Sequence, residues 1–226
     1  GLVRVYKFGT DGSWAQLGSD IVGEASGDFF GISVSLDSDG SHVAIGGEGN
    51  DAAGNNAGHA RVYEYSNNSW SQVGSDIDGE AAGDLSGNSV SLSSNGNIVA
   101  IGAPENDGNG NSSGHVRIYE NTGGSWSQIG QDIDGEAAVD HSGYSVVTNS
   151  DGSIVAVGAI HNDGNGSSSG HVRVYGTSTP CNDLGCLDPL ALNFDPNATV
   201  SDSTCVYPLY GCIDTAAVNY NVSANI

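Results

Sequence analysis

The chain has 226 residues, of which 37% are apolar, so it carries enough apolar side chain for a packed core of one or two domains. Asp and Glu number 27 against 5 Lys and Arg, a formal charge of −22, which excludes nucleic acid and anionic lipid as partners and suits cations or a saline medium. No run of about 18 apolar residues occurs, so no membrane-inserted helix is expected.

From the first residue the sequence repeats itself. Trp14, Trp70 and Trp126 stand 56 apart, as do the turn pairs Asp39-Gly40, Asn95-Gly96 and Asp151-Gly152. Units open at Gly1, Gly58, Gly114 and Gly170, the first interval being one longer because the hairpin "KFGTDGSW" has an extra residue relative to "EYSNNSW". Such a period marks a repeat architecture. Each unit contains four predicted strands, exemplified by "HVRIY", "WSQIG", "YSVV" and "IVAIGA". An Asp-Gly or Asn-Gly pair between the third and fourth predicts a two-residue hairpin turn. In "SVSLSS" Val90 and Leu92 alternate with serines, which predicts one wet face, whereas "IVAIGA" is apolar or small throughout and predicts burial on both sides. Helical periodicity is absent. The predicted fold is all-β, with four-stranded propeller-type blades in three periods of about 56 residues. The blades are placed at 1–57, 58–113 and 114–169, with an extra first strand at 170–176.

"FGISV" at Phe30–Val34, "SGYSV" at Ser142–Val146, "VAIGAP" at Val99–Pro104 and the following "GHVRIY" resemble the FG-GAP repeat, the blade unit of integrin α-subunit propellers and of many secreted bacterial and algal proteins. The resemblance covers about residues 1–176 and implies a β-propeller. Related blades carry a Ca²⁺ loop of the D-x-D-x-D-G type between the third and fourth strands. Here "LDSDGSH", "SSNGN" and "NSDGS" are too short for it.

The loops after each fourth strand are the better Ca²⁺ candidates. Asn50 with Asp51, Asp107 with Asn109, and Asp163 with Asn165 offer oxygen ligands among glycines, a layout hard cations favour and ordinary Asx turns share. A second acidic set, Asp76, Asp78, Glu80 and Asp84, recurs as Asp132, Asp134, Glu136 and Asp140. It can clamp a metal or pair with the Arg of a neighbouring blade. Pairing is the favoured outcome, because Arg4, Arg61, Arg117 and Arg173 share one repeat position. His59, His115 and His171 also share one position, where the first unit has Leu2, and are expected to be structural. With no nucleophile elbow, zinc motif or phosphate loop, the expectation is that the chain is not an enzyme and holds no organic cofactor.

At Cys181 the composition changes. Residues 177–184 read as a linker, and "GCLDPLALNFDPNA" from Gly185 is echoed by "GCIDTAAVNYNVSA" from Gly211, giving Cys-rich repeats at 185–210 and 211–226, the second cut short. They resemble a G-C-x-D-P-x-A-x-N-Y tandem repeat of secreted marine bacterial and algal proteins. Units of 26 residues cannot build a core, so this small, loop-rich C-terminal region is expected to be disulfide-stabilised. Cys186 to Cys205 is the preferred bridge, worth about 3 kcal/mol, with Cys181 and Cys212 left over and zinc as the rival. N-glycosylation sequons occur at Asn67, Asn111, Asn165, Asn197 and Asn221.

Together these features predict a secreted or cell-surface structural or adhesive repeat protein that assembles through blade edges or with neighbouring repeats. The alternative is a secreted propeller module that binds a glycan or protein through its loops.

Overall fold

The computed structural model describes residues 1–176 and, beyond them, 184–185, 188–191, 200–201 and 205–206. Two units are present, Gly1–Thr177 and Ser178–Ile226. All regular structure among the described residues is β. In the first unit the strands are β1 (Leu2–Val3), β2 (Tyr6–Phe8), β3 (Trp14–Gln16), β4 (Ile21–Val22), β5 (Ser33–Leu36), β6 (His42–Gly47), β7 (His59–Ser66), β8 (Ser69–Gln72), β9 (Ile77–Asp78), β10 (Ser89–Leu92), β11 (Ile98–Ala103), β12 (His115–Thr122), β13 (Ser125–Gln128), β14 (Ile133–Asp134), β15 (Ser142–Thr148), β16 (Ile154–Ala159) and β17 (His171–Gly176).

The sheets are out of phase with the sequence period. The third and fourth strands of one unit pair with the first and second of the next, giving the antiparallel orders β5-β6-β7-β8 and β10-β11-β12-β13. The blade boundaries read at 57/58 and 113/114 therefore fall inside sheets. Residues 170–176 are no surplus strand but the third strand of the sheet β15-β16-β17. The phase follows from the connections: "IVAIGA" leads into a compact polar loop that returns the chain antiparallel beside it, as in Ile101↔Arg117. A short strand in the "DIDG" segment adds to each complete sheet, β9 on β7 and β14 on β12.

The hairpins between third and fourth strands differ from the prediction. Ser93 N–H donates to the Ile98 carbonyl at 2.8 Å and Gly96 N–H to the Ser93 carbonyl at 3.0 Å, so four residues make the loop. Only the glycine takes positive φ, 75° at Gly40, 72° at Gly96 and 76° at Gly152. Asp39, Asn95 and Asp151 instead accept from the backbone N–H two residues on.

Consecutive sheets stack face to face, and three cores fill the gaps. Val5, Ile21 and Phe30 pack on Val43, Ile45 and Trp70. Ala44, Ala60, Val62 and Ile77 meet Val90, Leu92, Val99 and Ile101. Ala100, Val116 and Ile118 meet Val155 and Val157. The "IVAIGA" strand is buried on both sides. The wet face predicted for "SVSLSS" is not wet: Ser91 and Ser93 are buried in β10 and its flank. Their hydroxyls are occupied, Ser91 Oγ accepting from Thr148 N–H of the next sheet at 2.9 Å and Ser93 Oγ donating to Asn95. A buried hydroxyl is tolerated once it is hydrogen-bonded.

In the second unit β18 (Leu184–Gly185) pairs in parallel with β19 (Val200–Ser201). Cys205 is disulfide-bonded. Cys181, Cys186, Cys212, Asn197 and Asn221 lie outside the described residues.

Candidate functional site

The seam between stacked sheets concentrates the polar chemistry. The two internal strands of this type, β7 and β12, point Arg61 and Arg117 into the seam, where carboxylates from two segments meet each of them. Arg61 pairs with Asp76 of its own sheet at 2.6 Å and with Glu24 from the preceding segment. Arg117 pairs with Asp132 at 3.3 Å and with Glu80 of the preceding sheet, and Arg173 pairs with Glu136. Arg4 pairs with Asp20 at 2.8 Å. The neighbour-blade pairing of Glu80 and Glu136 expected from sequence is thus present. Asp20 and Glu24, the first unit's counterparts, were missed there because "SDIVGE" departs from "SDIDGE".

Burial draws the Arg61 pKa down, yet the hydrogen bonds that it donates to Asp76 and Glu24 outweigh it and leave the group raised. The same ion pair holds Asp76 below the usual carboxylate value against its own burial. Desolvation, with repulsion from Asp76 second, pushes Asp78 up. His59 and His115 sit beside the arginines, buried, with Nδ1 without a hydrogen-bond partner in either ring. Burial lowers both imidazole pKa values. Glu24-His59-Asp76 and Glu80-His115-Asp132 bring ligand atoms within 4.8 Å of one another. In both groups the guanidinium already stands between the carboxylates and supplies the cation. A cavity of about 520 Å³ opens on this seam, lined by Glu80, Arg117, Gln128, Gln131, Asp132 and Asp134.

The polar loops hold themselves. The carboxylates of Asp51, Asp107 and Asp163 each accept from the backbone N–H five residues on, at Asn56, Ser112 and Ser168, all at positive φ near 50°. Asn109 donates from its side chain to the Gly135 carbonyl at 2.8 Å, while Asn165 donates its backbone N–H to Ser169 Oγ at 3.3 Å. Asn50 is buried and donates to Asp28 at 3.4 Å. Asn106 to Asp84 and Asn162 to Asp140 repeat that pair at 3.0 and 2.8 Å. Asp84 and Asp140, grouped with the acidic set in the sequence, therefore serve the loops and not the arginines. Their shared repeat position with Asp28 was the signal available. Asn67, Asn111 and Asn165 are exposed.

Two further clefts lie at the ends of the stack. One, of about 430 Å³, is lined by Val5, Tyr6, Phe8, Trp14, Leu36 and Tyr65 among others. The other, of about 400 Å³, is lined by Ser145, Gly158, Ala159, Gly170, His171 and Val172 among others.

No family model and no curated protein matches the chain. Solved structures do. A Pseudomonas aeruginosa periplasmic gluconolactonase aligns with TM-score 0.48 and 19% identity over 76% of this chain and 45% of its own. A candidate 6-phosphogluconolactonase from Bacteroides uniformis aligns with TM-score 0.46 and 17% identity over 75% and 50%. Kuenenia stuttgartiensis hydrazine synthase gives 0.42 and 10% over 70% and 36%. The chain spans half or less of the length of these neighbours. The expectation that the chain is not an enzyme is not upheld. The physical reason is that catalytic side chains converge in space from separate strands, so missing linear motifs exclude no activity.

Proposed function

We propose that the chain is an extracellular structural or adhesive repeat protein, built of FG-GAP-like propeller blades and a Cys-rich module, that assembles through the ends of its blade stack. One observation carries this. Val34 and Leu36 are 55% and 50% exposed where their repeat counterparts Val90 and Leu92 are 7% and 6%, and Val172 and Val174 are 69% and 68% exposed where Val116 and Ile118 are 0% and 8%. Faces that internal copies bury are open at both ends, and contiguous exposed apolar faces mark association surfaces. Repetition suits an array, because each contact is written several times. The oxidising setting, a Cys186–Cys205 bridge, glycan on the exposed sequons and Ca²⁺ on the outward carboxylates of Asp107 and Asp163 belong to the same proposal. Light scattering of the full chain against concentration, with electron microscopy of the product, tests it; a strictly monomeric folded species overturns it.

A second reading is a module that binds a glycan. Tyr6, Phe8 and Trp14 are 47%, 56% and 67% exposed around one cleft, and exposed rings with nearby polar groups are suited to stack on sugars. A glycan array separates the two.

A further inference from the structure

We infer that the partner at both open ends is a second copy of this chain, and that it joins by strand exchange: β1–β3 of one copy replace β17 of another and pair with its β16. The inference rests on the assembly reading above and specifies its partner, register and displaced strand.

Three relationships recur at every internal seam and stop at the ends. The first is a backbone approach. A methyl at Gly46 would collide with the Gly87 carbonyl and one at Gly102 with the Gly143 carbonyl of the following sheet, while at Gly158, among the described residues, only the Ser145 side chain is close enough to collide. Gly158 has no positive φ to explain it. It lines the 400 Å³ cleft with Gly170, the space where the next sheet's Gly143 equivalent enters in the internal seams. By the repeat, that equivalent is Gly31 of a second copy.

The second is the indole bond. Trp70 Nε1 donates to the Leu17 carbonyl and Trp126 Nε1 to the Val73 carbonyl, each at 2.8 Å. Trp14 has no such bond among the described residues and is 67% exposed. In the exchanged register it faces Ile129 of the other copy, the counterpart of Leu17 and Val73.

The third is charge. The internal Arg61 and Arg117 each hold a carboxylate from their own sheet and one from the preceding sheet, with 6% and 14% side-chain exposure. Arg4 has only Asp20 and Arg173 only Glu136 among the described residues, with 47% and 48% exposure. If Arg4 of a second copy stands where Arg173 stands, it brings Asp20 to Glu136 and restores the pair of carboxylates.

These relations require exchange and not simple stacking, because β17 of one copy and β1–β2 of the other occupy the same position beside β16. The incoming strand has the advantage of its hairpin partner β3 and of β4, whereas among the described residues β17 is the edge of its sheet. Leu2–Phe8 is also broken into two short strands, while the counterparts β7 and β12, which have an inner strand beside them, run unbroken for eight residues. An exposed edge that matches a strand already in the sheet is a template for exchange between copies.

The register follows from β16, where Val155 faces Tyr175 and Ala159 faces His171. Exchange sets Val155 of one copy opposite Tyr6 of the next, and Ala159 opposite Leu2. The experiment uses full chains. Val155→Cys is mixed with a differently sized fusion carrying Tyr6→Cys, and a short bis-maleimide is added, to whose two C=C bonds the two thiols add. An intermolecular adduct specific to this pair is expected, absent when Tyr6→Cys is replaced by Lys7→Cys on the other face. Gly158→Ala is expected to keep its melting temperature, because within the chain its methyl meets only the Ser145 hydroxyl, which can rotate away, and to weaken assembly by about tenfold or more, because an incoming backbone cannot. Assembly that survives Gly158→Ala without the adduct overturns the exchange and leaves the assembly reading standing. A monomer at every concentration overturns both.

Discussion

Trp70 reaches across a seam to Leu17: its indole N–H donates to the Leu17 carbonyl at 2.8 Å from 53 residues away. The Trp126 indole repeats the bond to Val73 with the same separation. The sheets that carry Trp70 and Trp126 are thus each latched to the one before by an aromatic side chain whose apolar body fills the outer edge of the core and whose polar tip takes up a backbone carbonyl.

Trp70→Phe keeps most of the apolar surface and removes the donor, leaving the carbonyl unmet. A loss of about 1–2 kcal/mol in unfolding free energy is expected from denaturant melts. Trp14→Phe, at a ring without that bond, is expected to change the monomer by less than about 0.5 kcal/mol. Equal losses at both positions would show that the latch contributes nothing.

Asp76→Asn removes the less exposed of the two carboxylates from Arg61, a side chain 6% exposed. Breaking one partner of a buried pair costs about 3 kcal/mol. Because Asp76 is itself only partly covered, a measured loss nearer 2 kcal/mol is consistent, and one below about 0.5 kcal/mol would mean that Glu24 alone neutralises the guanidinium. Asp20→Asn, at the exposed pair, is expected to leave the melting curve unchanged.

The buried histidines set a pH dependence. Burial holds the folded pKa of His59 and of His115 below the ordinary value of 6.5, so the unfolded chain takes up protons that the folded chain refuses. Their contribution is complete above about pH 6.5 and is lost as the pH falls below it. Asp76, also depressed, adds a further loss only on descending below its ordinary 3.8. Melting temperature is expected to be flat from pH 8 to 7 and to fall towards pH 5, with a shallower fall in His115→Gln. A flat profile down to pH 5 would contradict this.

Asp84 accepts from the Asn106 amide at 3.0 Å and from Ala81 N–H at 3.0 Å inside the loop pack. Asp84→Ala strands both donors and is expected to cost about 2–3 kcal/mol. Asp107→Ala loses a single exposed loop bond to Ser112 N–H and is expected to cost about 1 kcal/mol. If Asp107→Ala is the more damaging, and EDTA lowers the melting temperature of the parent protein, the loop carboxylates bind a cation.

Much of this molecule was legible in its repeats. The period, the strand residues, the double burial of "IVAIGA" and the pairing of one Arg position with one acidic set all follow from residue type at a recurring position, because side chains in a strand alternate with period two and a buried charge needs a partner. What the chain alone could not decide was phase and contact. Nothing in "HVRIY" says whether it joins the strands before it or those after it, since both choices satisfy the same hydrogen bonds; the loop after Ala103, pinned by Asn106 on Asp84, settles the matter. Nor does "SVSLSS" reveal that its serines face a neighbouring backbone and not water, or that Leu85 and His141 take left-handed φ of 56° and 55° to turn the chain towards that neighbour. Those facts depend on where a second sheet lies, and only the packed structure brings residues 56 apart into a single seam, where a hydroxyl, a glycine or an indole acquires its partner.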